Sequence, residues 1–355
     1  MLKTSFTKLV GIQWPIVQAP MIGGYSSPEM VAIVSNLGCL GTLALGNLSA
    51  EQVTQHCLQA LALTDKPIAA NLFAHSNQEF ISETDKTPAI KALQTHYQQL
   101  DIDDSVLFNQ TLTDLPDLDS QVEAIINTAV PIVSFTFGIP NRAIVKKLKQ
   151  HGKIVIATAT TIEEAKQIEQ NDFDAVILQG IEAGGHRASF LSDGHSGPTS
   201  QSLLKQTQQA ISIPIVITGG IMNGQHIAQH INNGAKACQL GTAFLFTNES
   251  KIEPFYLQAL LQQQNKTCLS KAFTGKYARI INNKFAQQMV NKAIADFPYQ
   301  GQLTSSLRSK ATALAQYEYL PFWAGESYAL GCLQSAEMLT KKLIKELQSA
   351  ISTQK

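Results

Sequence analysis

Lys153-Ile-Val-Ile-Ala-Thr158, then Thr161-Ile-Glu-Glu-Ala-Lys-Gln-Ile-Glu-Gln170, then Ala175-Val-Ile-Leu-Gln179 set the fold of this chain. The outer two pieces are short apolar runs rich in β-branched residues, and the piece between them has helical period. Thr161 stands ahead of Glu163 and Glu164, so a hydroxyl cap and two acids meet the positive end of the helix dipole. Strand, helix and strand in this order form a parallel pair, because parallel neighbours need a crossover.

The same alternation extends from Pro15 to Leu245. Further candidate strands are Pro15–Ala19, Cys39–Leu45, Pro67–Phe73, Ile132–Phe137, Ile213–Thr218 and Ala237–Leu245. Helical patterns lie between them at Pro28–Asn36, Ala50–Leu63, Thr87–Leu100, Asn141–His151, Ser202–Ile211 and Gly224–Asn232, with Ser49 ahead of Glu51 as another cap signal. Eight such units over about 230 residues fit a TIM (β/α)8 barrel better than an open doubly wound sheet. The third crossover carries an extra stretch, Asp101–Asp119, read as an excursion. No internal repeat beyond the βα unit occurs.

After Leu245 the alternation stops. Helical patterns at Pro254–Gln264 and Phe285–Ala295 flank a strand-like Tyr277–Ile281, and an amphipathic helix spans Ser335–Ala350. The expected division is a barrel over residues 1–250, a smaller α+β lid or substrate domain over 251–330, and a helix within 331–355 that returns to the barrel wall.

Composition narrows the function. Lys plus Arg number 27 and Asp plus Glu 27, charged residues are 15%, and the only arginines are Arg142, Arg187, Arg279 and Arg308. A general nucleic-acid binder needs a basic surface that this chain lacks. With 44% apolar residues the chain can bury a core without disulfides or metal. Five cysteines, widely spaced and without a CxxC pair, read as buried free thiols. Gln13 and Gln18 interrupt the apolar stretch after Lys3 and Lys8, and no run reaches membrane-spanning length, so neither signal peptide nor spanning helix is expected. The expected location is the cytoplasm.

In a barrel, ligands bind at the C-terminal ends of strands. Ala19-Pro20-Met21-Ile22-Gly23-Gly24 follows the first strand, and its glycines allow the backbone to approach a flat ligand. Thr218-Gly219-Gly220-Ile221 follows the seventh, and Gln239-Leu240-Gly241-Thr242-Ala243 lies at the eighth. Loops in these two places form the recurrent phosphate site of the fold, and Thr242 adds a hydroxyl. After the sixth strand, Gln179-Gly180-Ile181-Glu182-Ala183-Gly184-Gly185-His186-Arg187 delivers one imidazole to the mouth, able to exchange a proton near neutral pH. His56, His96, His151, His226 and His230 fall on helices and are expected to be solvated; His75 and His195 are loop residues in weaker context. HExxH and other metal-ligand spacings, GxSxG, GxxxxGK[ST] and a GxGxxG opening the first crossover are all absent from the sequence. A phosphate, a flat ring and one histidine remain.

QAPMIGG at Gln18–Gly24, NLF at Asn71–Phe73, VSFTFGIP at Val133–Pro140, QGIEAGGHR at Gln179–Arg187, TGGI at Thr218–Ile221, QLGTAFL at Gln239–Leu245 and PFWAGES at Pro321–Ser327 together resemble the FMN-dependent nitronate monooxygenases, also called 2-nitropropane dioxygenases. The resemblance runs in order over nearly the whole chain. It implies a flavin lying across the barrel mouth. Pro20 and Met21 would border its ring, Asn71 and Gln179 would bond ring or ribityl atoms, and Gly184 and Gly185 would let the loop pass close. Gly219, Gly220 and the segment Gln239, Leu240, Gly241 and Thr242 would hold the phosphate. His186 would be the catalytic residue, with Met21 and Trp323 bounding the substrate pocket.

The reaction so implied is oxidation of an alkyl nitronate of the propionate 3-nitronate class by dioxygen, giving a carbonyl compound and nitrite and so detoxifying the nitronate. His186 would bind the anionic nitronate, or act as base toward a neutral nitroalkane. Two positions depart from the family pattern: Glu326, where Gln is usual, and Thr136, where some bacterial members carry His. A carboxylate at the pocket rim repels an acidic substrate unless it points to solvent. The implied partners are a small nitronate and dioxygen, with neither nucleic acid nor membrane, acting on a monomer or homodimer. FMN-containing enoyl-acyl-carrier-protein reductases share the AGGH loop, so an NAD(P)H-dependent flavin reductase of enoyl or quinone type is the alternative. A protein that merely stores flavin has no use for His186.

Overall fold

The computed structural model describes residues 2–74, 85–262 and 266–352. His75 and the expected helix end at Gln264 lie outside the described residues.

Eight parallel strands form the central sheet: β1 (Ile16–Gln18), β2 (Gly41–Ala44), β3 (Ile68–Phe73), β4 (Ile132–Thr136), β5 (Ile154–Ala159), β6 (Ala175–Gln179), β8 (Ile215–Thr218) and β9 (Ala237–Leu240). A two-residue strand, β7 (Gly185–His186), belongs to a second sheet with β10 (Thr267–Ser270) and β11 (Ala278–Ile281). The large sheet runs β1-β9-β8-β6-β5-β4-β3-β2, and a parallel bridge between Val17 and Leu40 joins its two ends. The sheet is thereby closed into a barrel surrounded by helices, a TIM barrel.

The two-residue period of each strand sorts its side chains between two cores. Ile132 and Ile156 turn inward to meet Val17, Leu40, Ala69 and Val216, while Val133, Val155 and Ala157 pack outward against the helices. Phe6, Val10 and Ile12 complete the inner core. They come from the first helix, Ser5–Val10, and the residue pair beyond it; the helix is held at its start by a Thr4/Thr7 capping box and tied on by Thr4 Oγ1 donating to the Lys236 carbonyl at 2.6 Å.

Several readings of the sequence change. The run Ala237–Leu245 is not one strand: β9 ends at Leu240, Gly241 leaves extended geometry (φ −107°, ψ −70°), and Thr242–Leu245 is a helical turn. The excursion in the third crossover holds a helical turn, Ser105–Phe108, and a further helix, Leu118–Ile126, packed on β3 and on the helices at Ala50–Leu61 and Arg142–Gln150. The helix Thr87–Gln99 serves another purpose: the Tyr97 hydroxyl donates to the Leu303 carbonyl at 2.7 Å and the Tyr319 hydroxyl to Gln99 Oε1 at 2.7 Å. His96 and His230 are buried rather than solvated, because each lies on the apolar side of its helix. Cys39, Cys57 and Cys238 are buried thiols, but Cys332 is exposed.

Beyond the barrel, β10, β11 and β7 form an antiparallel sheet in which Ala278 faces His186 and Arg279 faces Gly185. Short helices at Lys284–Gln288, Tyr299–Leu303 and Ser305–Ala313 follow; the first is shorter than the expected Phe285–Ala295. The helix Ala336–Ser352 packs on Gly224–Asn232 and Pro28–Asn36, and Glu346 accepts from the Gly224 N–H at 2.8 Å. Among the described residues no helix is long and apolar enough to cross a membrane.

Candidate active site

A cavity of about 920 Å³ opens at the C-terminal ends of the strands and continues between them and residues 253–327. Pro20, Met21, Asn71, Gln179, Gly184, Gly185, His186, Gly219, Gly220, Gln239, Gly241, Thr242 and Trp323 all line it. Leu240 does not; its side chain is buried in the outer core, and its carbonyl accepts from the Ala19 N–H at 2.9 Å. Its place on β9 turns it away from the cavity that its neighbours Gln239 and Gly241 face.

At one end the lining is backbone. Gly219 (φ +120°) and Gly220 (φ +71°) occupy left-handed conformations that disfavour any side chain. No protein group bonds the N–H of Gly219, Gly220 or Gly241 among the described residues, so all three donors are free for a ligand. The Thr242 hydroxyl accepts from the Gly325 N–H at 3.0 Å, which leaves its own proton to donate. The four groups make a cradle for a compact anion with no cation in it.

Gly184 also has a packing use. A Cβ there would stand 2.7 Å from the Ala324 carbonyl carbon and 3.0 Å from Thr242 Oγ1. The glycine therefore makes room for the Ala324–Gly325 backbone. Gln179 is also largely committed: its Nε2 donates to the His186 carbonyl at 2.9 Å, and its Oε1 accepts from Arg187 NH1 and the Ala188 N–H, both at 3.0 Å. One amide proton is left for a ligand. Buried Asn71 is fixed by donating Nδ2 to Ser134 Oγ at 2.9 Å and Thr136 Oγ1 at 3.1 Å. The Met21 N–H donates to Ser26 Oγ at 2.8 Å.

At the other end the lining is aromatic. The His186 ring lies 5.2 Å from Trp323, 5.8 Å from Phe137 and 5.9 Å from Phe297, centroid to centroid. Phe137 takes a left-handed φ of +72°, a costly conformation for an aromatic residue and a mark of functional sites, and this turn aims its ring at the imidazole. Trp323 is held by an antiparallel bridge to Ile280 and by its carbonyl, which accepts from the Tyr256 hydroxyl at 2.6 Å. Phe137, Phe297 and Thr274 carry no signal of their own in the sequence; the glycine that follows Phe137, Gly138, takes φ +148° in the structure.

His186 Nε2 is 2.9 Å from Thr274 Oγ1, and that hydroxyl lies 3.2 Å from the Lys276 carbonyl. A hydroxyl has one proton and gives it to the carbonyl, so Oγ1 accepts from Nε2–H and Nδ1 keeps its lone pair. Burial, aided by the charge of Lys276, pushes the imidazolium pKa down to about 4. The ring is therefore neutral at neutral pH and supplies no positive charge to an anion; nearby charge belongs to Lys276, whose Nζ lies 5.0 Å from the Phe137 ring centre and donates to the Ser189 carbonyl at 3.0 Å. Glu326 does not press a free carboxylate on the pocket: Arg279 pairs with it at 2.9 Å. Thr136 is used in fixing Asn71. Among the described residues no three His, Cys, Asp or Glu side chains gather as a metal site.

Comparison with known proteins finds relatives that match nearly the whole chain. A probable nitronate monooxygenase of Staphylococcus saprophyticus is 37% identical over 353 residues, covering 97% of this chain and 98% of its own length. One from Staphylococcus aureus is 34% identical over 351 residues, covering 97% of each chain. The nitroalkane oxidase of Streptomyces ansochromogenes superposes with a TM-score of 0.88 at 34% identity, over 99% of this chain and 100% of the other. FabK from Thermotoga maritima shares the fold, with a TM-score of 0.73 at 22% identity, 100% of this chain and 99% of the other being covered. The nitronate monooxygenase profile matches residues 3–347, and with these relatives it shows that the chain belongs to the nitronate monooxygenase family.

Proposed function

We propose that this enzyme oxidises alkyl nitronates with dioxygen to a carbonyl compound and nitrite, using FMN, and thereby removes toxic nitronates. The observation that carries the proposal is one cavity with a cation-free anion cradle at Gly219, Gly220, Gly241 and Thr242 and an enclosed imidazole at the far side. A flavin mononucleotide fits this chemistry. Its phosphate would take the free N–H groups and the Thr242 proton, a backbone mode of binding suited to an anion. Its ring would extend past Pro20, Met21, Asn71 and the remaining Gln179 proton toward His186. When bound, the flavin supplies electron acceptance from the nitronate and reaction with dioxygen, chemistry no side chain here offers.

The chain's own residues position, enclose and move a proton. Phe137, Phe297 and Trp323 keep water from the reacting carbon and strengthen each electrostatic contact there. Nδ1 of His186 is the proton acceptor for a neutral nitroalkane. With a nitronate that proton is already gone, and the ring acts by position. The proposal keeps the division into a barrel (1–250), a lid or substrate domain (251–330) and a returning helix (331–355). It places the enzyme in the cytoplasm as a monomer or homodimer, acting on neither nucleic acid nor membrane.

Anaerobic bleaching of the purified yellow protein is the test. An alkyl nitronate should bleach it at once, and NADH or NADPH should not. Rapid bleaching by NAD(P)H with no response to nitronate would overturn the proposal in favour of a flavin reductase.

A further inference from the structure

Arg187, next in the chain after His186, is the largest side chain fully buried from solvent among the described residues. All of its side-chain hydrogen bonds leave from one nitrogen. NH1 donates to the Gly180 carbonyl at 2.7 Å, to Gln179 Oε1 at 3.0 Å and to the Gln179 carbonyl at 3.3 Å, whereas the buried Nε and NH2 have no partner among the described residues. The chain closes over it: a Cβ on Gly194 would lie 2.8 Å from Arg187 Cβ, and one on Gly197 would lie 3.1 Å from NH2. The acids whose charge it feels, Glu164 and Glu182, are bound to backbone instead. Glu164 accepts from the Phe190 N–H at 2.7 Å and the Leu191 N–H at 3.0 Å, and Glu182 from the Ser200 N–H at 2.9 Å. A cation sealed in this way is costly, and an apolar side chain of similar size would fill the space at less cost. Its one distinctive service is to Gln179 and the start of the loop that follows.

Gln179 stands between the two ends of the cavity. Its backbone pairs with Thr218, one residue before the glycine cradle, and its Nε2 donates to the His186 carbonyl at 2.9 Å. The oxygen and nitrogen of an amide are alike in shape, so only their neighbours decide which faces where. Here the neighbours leave no choice: Arg187 NH1 and the Ala188 N–H can only donate, and the His186 carbonyl can only accept. Turned over, the amide would set its NH2 against two donors and its oxygen against a carbonyl. The second proton on Nε2 is therefore what Gln179 offers to the cavity it lines. The guanidinium charge behind Oε1 polarises the amide and strengthens that donor.

We propose that Arg187 is a positioning residue that acts through Gln179, holding the amide so that a proton, and not an oxygen lone pair, is offered to an acceptor on the flavin. The inference rests on the FMN reading, which it deepens by naming the residue that sets the polarity of one contact.

The test is the dissociation constant of FMN, read from the flavin fluorescence that returns as the holoenzyme is serially diluted, for the wild-type enzyme, Gln179→Met, Arg187→Met and the double variant. Each single change should weaken binding roughly tenfold, the scale of one lost hydrogen bond. The double variant should lie within about twofold of Gln179→Met, because the arginine then has no amide to hold. Its melting temperature should nevertheless fall below that of Gln179→Met, since the Gly180 carbonyl loses its donor in either background. Losses of affinity that multiply to roughly a hundredfold would assign Arg187 a role of charge or packing and overturn the proposal; so would an Arg187→Met protein that holds FMN like the wild type. Arg187→Lys keeps the charge but cannot reach three acceptors, and should recover part of the affinity; full recovery would make charge the cause and also overturn the proposal. If Arg187→Met does not fold, Arg187→Lys takes its place in the same cycle, where its smaller loss should vanish once Gln179 is Met. A wild-type protein that takes up no FMN would overturn the flavin reading and this inference together, whereas one that binds FMN in the coupled pattern yet leaves nitronates untouched would overturn nitronate oxidation alone.

Discussion

The two ends of the cavity recognise by opposite means. At Gly219, Gly220 and Gly241 the contacts on offer are backbone donors, and side chains would only obstruct. Around His186 the surface is made of rings, each aimed by a separate device: a left-handed φ for Phe137, a β-bridge for Trp323, a hydroxyl for the imidazole itself. The first end should tolerate changes that keep a residue small and fail with any that fill the space. The second should respond to each ring and partner in proportion to its closeness to the reacting atoms.

The hardest blow to that contrast is Gly220→Glu. It puts a carboxylate into an anion cradle at a φ of +71°, and the protein should purify without yellow colour and without activity. Gly220→Ala sharpens the point: its Cβ would meet nothing closer than 3.5 Å, so only the left-handed backbone cost of about 1–2 kcal/mol remains and the flavin should stay. His186→Asn should keep the visible spectrum but lower kcat roughly 100-fold or more on a neutral nitroalkane, the usual scale for a lost proton acceptor. A variant with unchanged turnover would remove His186 from the chemistry. Thr274→Val, which frees the imidazole to change tautomer, should cost about tenfold in kcat on the same substrate and shift the pH profile, with Thr274→Ser restoring both.

The smallest expected effect concerns stability. Burial lowers the pKa of His186 and of His230 from 6.5 to about 4, so the folded state resists protons that the unfolded chain accepts. Stability contributed by these groups is intact above 6.5 and is lost as pH falls from 6.5 toward 4. Urea midpoints measured across that range should fall, and His230→Gln should lessen the fall. An unaltered slope would acquit His230.

The barrel was legible because its signals are local: short apolar runs alternate with stretches of helical period, and hydroxyl caps such as Ser49 and Thr161 stand ahead of acids at helix starts. The glycine cradle was legible for the same reason, since strand ends and glycines can be read in order. The side that Leu240 faces is not legible, because a run of apolar letters hides which residues face the cavity, and Gly241 hides a break in geometry. The burial of His96 and His230 is not legible either, because helical period does not say which neighbour covers a face. The second end was mostly invisible. Phe137, Thr274 and Phe297 come from distant stretches and meet around His186 only through the β7–β11 pairing and the packing of the short helices. Helix Thr87–Gln99 was found, but its partners Leu303 and Tyr319 lie more than two hundred residues away in sequence.

Gly184, Thr242 and Gly325 meet within the reach of one hydroxyl, although they arrive from three separate stretches of chain. Residues in such contact do not vary independently, because a change at one alters the cost of a change at the others. For anyone redesigning this enzyme, or comparing its drift across lineages, the three behave as a single position. A larger residue at 184 is tolerable only if 325 withdraws, and a withdrawn 325 leaves Thr242 without the bond that orients it. Substitutions there should be searched as triples.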